Sequence, residues 1–433
     1  MSTAAPHIQE TQQRVVRVLA AAQVLGGIGV ASGAAVGALL AAELATDSLS
    51  GLAAASSVIG AALIAIPVSR LMNVSGRRSG LLLAYAIGII GAMLVVFGAV
   101  IDQFLVALVG LIAMGGGTTA GLQSRYAATD LATPDRRGRS LSTVVWATTI
   151  GSVLGPNLAD PMGDVAEAIG VPRLAGPYLM SLGVFSISAA MIGLLLRPDP
   201  LIVARDELER TTGVKGGPAL QTSIAAVLRS ISGITPAVLG LLAIVVGHAS
   251  MVGVMAMTPV HLRHDGASLR IIGFVISGHI TGMYIASPLV GLAADRIGRR
   301  PVIITGGAFL LSAFLIAGTA TGHESTQLAV GLFLLGLGWS CTLIAGSTLL
   351  TESVPVDDRP NVQGTSDLLM GIGGASAALL SGVVVGFGSY GLLNLITTLL
   401  VVPMIVLAVR DALRHRHPVT QPPGAPTPTA QRR

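Results

Sequence analysis

The stretch Gly291 to Arg300 reads GLAADRIGRR, and Ser69 to Arg78 reads SRLMNVSGRR. Both end on Gly-Arg-Arg, with Gly76 and Gly298 standing 222 residues apart (298 − 76). A second signature returns at nearly the same distance, Asp135-Arg136 as Asp358-Arg359, an offset of 223 (359 − 136). Two matched signatures at about half the chain length mark an internal duplication.

Outward from these loops the sequence is apolar. Of 433 residues only 11% are charged and 52% are hydrophobic, whereas roughly a quarter of a soluble domain is charged. A helix needs ~18 or more apolar residues to cross a ~30 Å hydrocarbon layer. Such runs occur near 18–42, 49–68, 80–100, 104–122, 141–158 and 175–196, then 237–260, 271–294, 302–320, 327–349, 368–385 and 392–409. The predicted fold is an all-α membrane protein with twelve transmembrane helices in two pseudo-symmetric six-helix halves, 18–196 and 237–409. Many of the 55 glycines lie inside these runs beside Ala and Ser, where small residues let membrane helices approach closely.

Residues 197–236 read as a linker, polar and broken by Pro198, Pro200 and Gly216-Gly217-Pro218, with a short surface helix expected over 201–209. The N-terminus, 1–17, is polar and shows no cleavable signal pattern, so the first helix is expected to stay as an anchor. The tail, 410–433, carries Pro418, Pro422, Pro423, Pro426 and Pro428 and is expected to be disordered. Placing both termini in the cytoplasm leaves only Arg173, Arg263 and Arg270 of the 26 basic residues outside. That split follows the positive-inside rule for a multi-pass protein of the cell membrane.

The net charge of +5 is therefore topogenic, and no nucleic-acid signature accompanies it. A lone Cys341 rules out an internal disulfide. Phosphate loops, HExxH and GxSxG are absent, so no enzyme is expected. The expected partners are the lipid bilayer and a small transported solute, with the chain acting as a monomer.

Helix 7 contains HASMVGVMAM, which sets Met251 and Met255 one turn apart on one face, and helix 8 gives His279 and Met283 the same spacing. Thioether and imidazole ligands suit copper and do not suit Mg²⁺ or Ca²⁺, and neutral ligands favour handing a cation onward. The alternative reading is structural: Met filling gaps between helices and His279 in an interhelical hydrogen bond. His248, Met257, His261 and His264 lie nearby and could extend an entry path.

GLAADRIGRR, with its weaker copy after helix 2, resembles the cytoplasmic loop motif of the major facilitator superfamily. The resemblance spans the whole chain and implies a central cavity that opens alternately to either side. It implies that Gly291 permits tight helix packing and that Asp295 pairs with a loop arginine. Arg296, Gly298, Arg299 and Arg300 would complete the inward latch, with Gly76, Arg77 and Arg78 as counterparts. In the first copy Ser69 replaces the glycine and Asn73 the carboxylate, so that latch is expected to be weaker.

Within the superfamily, the Met/His pairs resemble those of CcoA-like copper importers. That implies a copper site at Met251, Met255, His279 and Met283, with copper as cargo and no resident cofactor. GSVLGPNLAD, with Gly151, Gly155 and Pro156, resembles the helix 5 motif of proton-coupled drug exporters but departs at Asn157 and Asp160. The low aromatic content, 3%, and carboxylates placed mostly at helix ends also argue against export. Uptake of an organic vitamin or metabolite would use Gln23, Gln123, Trp146, Asn157, Tyr284 and Trp339.

Overall fold

A backbone in hydrocarbon must satisfy its own hydrogen bonds, which leaves helices for runs of this length and composition. The structure, a computed structural model, describes residues 6–45, 50–213, 223–264, 269–320 and 325–416. The first half contains α1 (Pro6–Leu44), α2 (Ser50–Val100), α3 (Phe104–Ala127), α4 (Arg137–Asn157), α5 (Ala159–Ala168) and α6 (Gly176–Leu195). The linker holds α7 (Pro200–Thr212) and α8 (Ile224–Ser232). The second half contains α9 (Thr235–His264), α10 (Leu269–Tyr284), α11 (Ser287–Ile297), α12 (Arg299–Gly318), α13 (Ser325–Glu352), α14 (Arg359–Phe387) and α15 (Tyr390–Arg416).

Ten stretches are long and apolar enough to cross a membrane. One of them folds back at Gly76 into two crossings, and α4, with arginines in its first turn, adds another, so the twelve expected crossings are present. An even number of crossings places both ends of the chain on one side, called here the termini face.

The Gly-Arg-Arg signatures are the turns on that face. Gly76 (φ 85°, ψ 171°) reverses the chain within α2, and Gly298 (φ 95°, ψ 160°) does so between α11 and α12. Only glycine enters that region of backbone space without strain.

Several boundaries differ from the sequence reading. The first helix begins at Pro6, before position 18, and α15 runs on to Arg416, so residues 410–416 of the expected disordered tail are helical. Residues 417–433 and Gly216-Gly217-Pro218 lie outside the described residues. The linker helix is longer than 201–209. Asp199 caps it by accepting from the backbone N–H groups of Leu201 and Ile202 at 3.0 and 3.3 Å. The other oxygen of Asp199 accepts from the Arg78 N–H at 2.7 Å, which ties the linker to the first turn.

Within the first half, α1 packs on α4 and α6, and α2 packs on α3. In the second, α13 lies against α9, α10 and α12. The halves meet mainly along α2 against α14 and α4 against α11, and the duplication relates these two seams. Ser69 corresponds to Gly291 and Ser142 to Gly364, each offset being 222 (291 − 69, 364 − 142). In one seam Gly291 receives Ser142, and in the other Gly364 receives Ser69. The apparent defect of the first copy, serine for glycine at position 69, is thus a swap: the partner helix carries the glycine. Without a side chain on one member, the two helices can touch backbone to side chain.

The ion pairs repeat as well, since buried Arg77–Asp130 and part-buried Arg299–Glu352 share the same offset (299 − 77, 352 − 130). Arg77 is fully buried, contacts both oxygens of Asp130 at 2.7 and 3.1 Å, and reaches Gln363 of the other half at 2.6 Å. Arg299 bonds Glu352 at 2.7 Å and crosses to the Pro134 carbonyl oxygen of the first half. Asp295 accepts from the N–H groups of Gly138 and Arg139 at 2.8 and 2.9 Å, capping α4 across the seam, and pairs with the side chains of Arg139 and Arg299. At the counterpart position, Asn73 is held by Arg205 of α7 at 2.7 Å, and Arg205 also pairs with Asp357 of the second half. A linker arginine therefore ties in the copy that lacks a carboxylate. Arg78 bonds the Gly193 carbonyl at 3.0 Å, Arg300 pairs with Asp411, and Arg296 is exposed. The termini face is shut.

The two seams should respond differently to the same substitution. A methyl group at Gly364 meets the side chain of Ser69, so Gly364→Ala should part the termini face and Ser69→Gly should restore closure. A methyl group at Gly291 also meets the Gly138 backbone oxygen at 2.5 Å, so Ser142→Gly should rescue Gly291→Ala poorly. Spin-label distances between positions 136 and 296, in a Cys341→Ser background, would report both outcomes.

Candidate functional site

Above the shut face, between the halves, lies a cavity of about 320 Å³. Glycines and other small residues form much of its first-half wall, including Gly26, Gly27, Ala61, Gly117 and Gly121. The small wall has a packing cause: Gly151 of α4 seats on Gly27 of α1, and Gly155 on Ile28 and Ala31. The resemblance of the helix 5 motif to exporters thus falls on residues that set how closely α1 and α4 approach. The second-half wall is bulkier, formed by His248, Met251, Met283, Tyr284, Trp339 and Met370.

The polar centre is a buried charge cluster crossing between halves. Arg125 of α3 donates from Nη2 to Asp367 of α14 at 2.6 Å, and Gln123 Nε2 donates to the other Asp367 oxygen at 2.8 Å. The guanidinium also lies over the Tyr126 ring, 4.7 Å from its centroid. Arg125 and Asp367 both line the cavity, with side chains 2% and 1% exposed. Nε and Nη1 of Arg125 are buried with no hydrogen-bond partner among the described residues.

Beside this cluster, Trp339 Nε1 donates to His248 Nδ1 at 3.1 Å, and Tyr284 meets the Trp339 ring edge-on at 5.7 Å. Indole nitrogen is a donor only, so the accepting Nδ1 of His248 leaves the proton on Nε2. Gln23 donates to Thr148 at 2.9 Å, and its oxygen has no partner among the described residues.

The predicted copper ligands divide here. Met251 and Met283 line the cavity together, whereas Met255 and His279 do not. Each of the latter sits one turn nearer the opposite face on its helix. Met255 packs into the second-half core, and His279 is buried with Nδ1 2.9 Å from the Leu332 carbonyl oxygen of α13. His261 stacks on Tyr390 at 4.4 Å, Met257 packs against the core, and the His264 side chain lies outside the described residues. No group of three His, Cys, Asp or Glu with metal-binding spacing occurs among the described residues.

Of the residues proposed for organic uptake, Gln23, Tyr284 and Trp339 line the cavity, and Gln123 holds Asp367 behind it. Trp146 and Asn157 are exposed and do not line it. Arg125 and Asp367 are absent from the sequence reading, as is the contact of His248 with Trp339. Asp367 is an exception to the reading of carboxylates mostly at helix ends, and Tyr284 and Trp339 give the cavity an aromatic surface despite the low aromatic content. Asp367 stands nine residues into α14 and Arg125 within α3, but the apolar runs of the sequence, 104–122 and 368–385, stop short of both, so neither reads there as an ionisable residue inside a span.

Two helical halves around a central, mostly apolar cavity with a charged centre, shut on one face, are the architecture of an alternating-access transporter. The sequence model of the Major Facilitator Superfamily matches residues 239–432. "Uncharacterized MFS-type transporter YdeG" of Bacillus subtilis (strain 168) is 39% identical over 400 residues, 91% of each chain. The chain belongs to the major facilitator superfamily. "Riboflavin transporter RfnT" of Brucella anthropi is 25% identical over 402 residues, covering 91% of this chain and 96% of that one. Among solved structures, the human organic anion transporter MFSD10 superposes with a TM-score of 0.71 at 17% identity over 92% of this chain and 99% of that one. At that identity it shares the fold alone.

Breaking a buried pair strands the surviving charge, typically at ~3–5 kcal/mol. Arg125→Ala should therefore lower the melting temperature of the purified protein markedly. Removing Asp367 as well should recover much of the loss, which a double-mutant cycle followed by intrinsic fluorescence would show.

Proposed function

We propose that this chain carries a small organic solute, a vitamin or metabolite, through the central cavity by alternating access, with both termini in the cytoplasm. The observation that carries this reading is the cavity wall itself: an aromatic pair, Tyr284 and Trp339, with the polar side chains of Arg125, Asp367, His248 and Gln23 on the same cavity. An aromatic surface with a few fixed polar groups is the usual make-up of a small-molecule site. The relative named as a riboflavin transporter aligns over nearly the whole chain and supports the same class of cargo.

A bare copper ion fits this wall less well. Of the four soft donors read from helices 7 and 8, two thioethers reach the cavity, and the imidazole of His279 is turned to a carbonyl of α13. The copper reading keeps one observation in its favour, the presence of Met251 and Met283 on the same wall.

Purified protein in liposomes separates the two. Exchange of riboflavin or another organic solute from a vitamin and metabolite panel is expected, dropping at least tenfold in Trp339→Ala. Copper uptake is expected to be unchanged by Met251→Ala and Met283→Ala. Copper uptake lost in both methionine variants, with no organic solute exchanged, would reverse the assignment.

A further inference from the structure

We infer that the transported solute is an organic anion whose acidic group is taken by Arg125, in sharing with Asp367; this rests on the organic-solute reading above. Three observations lead there. The first is donor supply. A guanidinium has five N–H donors, and here Nη2 alone meets Asp367 and Tyr126, leaving the one N–H on Nε and the two on Nη1 buried, without a partner among the described residues, on a side chain that lines the cavity. His248 adds its Nε2–H, because Nδ1 is occupied by Trp339. A site with this surplus of buried donors favours acceptors and negative charge over donors and positive charge.

The second is fixed geometry. Arg125 is held by Asp367 on one side and by the Tyr126 ring beneath, so its free edge is ordered before the solute arrives. A preorganised guanidinium loses little freedom on binding a carboxylate. Where burial strips water from a bound anion, one without such a partner would be strongly disfavoured.

The third is what the binding does to the halves. Arg125 belongs to α3 and Asp367 to α14, so their ion pair is a tie across the seam. A second anion on the same guanidinium divides its charge and weakens that tie. Asp367 keeps the Gln123 amide at 2.8 Å and is not left bare. Loading the cavity thereby loosens the shut face from within.

Matched acid and amide probes of the same shape test the charge directly: benzoate and benzamide, nicotinate and nicotinamide, indole-3-acetate and indole-3-acetamide. Each is titrated calorimetrically into the full chain in lipid nanodiscs. In at least one pair the acid should bind tenfold or more tightly than its amide. Arg125→Gln should erase that advantage. Asp367→Asn, which removes the competing anion while keeping the shape, should tighten the acid at least threefold and leave the amide unchanged; a merely structural role for the pair predicts weakening of both. Equal or tighter binding of the amides overturns the inference but leaves the organic-solute reading standing. So does an acid preference that survives Arg125→Gln, or Asp367→Asn weakening the acid. Silence from all six probes overturns the inference, and the organic-solute reading falls only if the liposome exchange also fails.

Discussion

A charge buried among packed helices must find its partner inside the protein, because the surroundings that exclude water offer none. Arg77, Arg125, Asp130 and Asp367 are all buried, the first and third at the termini face and the others at the cavity, and each finds its counter-charge within reach of the seam between halves. The pairing requirement makes the halves depend on one another. Arg125 and Asp367 complete each other only when α3 and α14 are in register, and Arg77 reaches Gln363 only when α2 and α14 are. The shut termini face is therefore one polar arrangement, held at several depths. Its backbone approach is set by Gly291 and Gly364.

The duplication makes this arrangement twofold in plan but uneven in execution. The turn glycines, the Gly–Ser seams and the Arg77–Asp130 and Arg299–Glu352 pairs repeat at one offset. The cap does not: Asp295 carries a full carboxylate to the start of α4, while Asn73 relies on Arg205 from the linker. A covalent linker that also supplies an ion contact to Asp357 joins the uneven side to both halves. The cavity is uneven in the same sense, with a wall of small residues from the first half and an aromatic, thioether and imidazole wall from the second. Small residues on one side leave room for a solute, and bulky ones on the other give it a surface to rest on.

Twelve crossings, two halves and the turn glycines were legible in the sequence, because each depends on local composition or on a backbone conformation that one residue type allows. The spacing of Met251 with Met255 and of His279 with Met283 was legible too, but periodicity says only which residues share a helix face. The direction a face takes is set by neighbouring helices, and here one turn of depth separates the pair that lines the cavity from the pair that does not. Arg125 and Asp367, far apart in sequence, fall just outside the apolar runs 104–122 and 368–385 and so read as loop charge.

The sequence by itself determined the membrane class, the duplicated plan and the glycines at which the chain turns. These follow from hydrophobic length, from repetition and from the steric freedom of a residue without a side chain. Only the tertiary structure decided that Ser69 is answered by Gly364, that Arg205 serves the copy lacking a carboxylate, and that Arg125 meets Asp367 at the cavity. Each of these joins residues from separate helices. Which helix faces meet is settled by close packing and charge pairing across the bundle, and no local pattern in the chain encodes it.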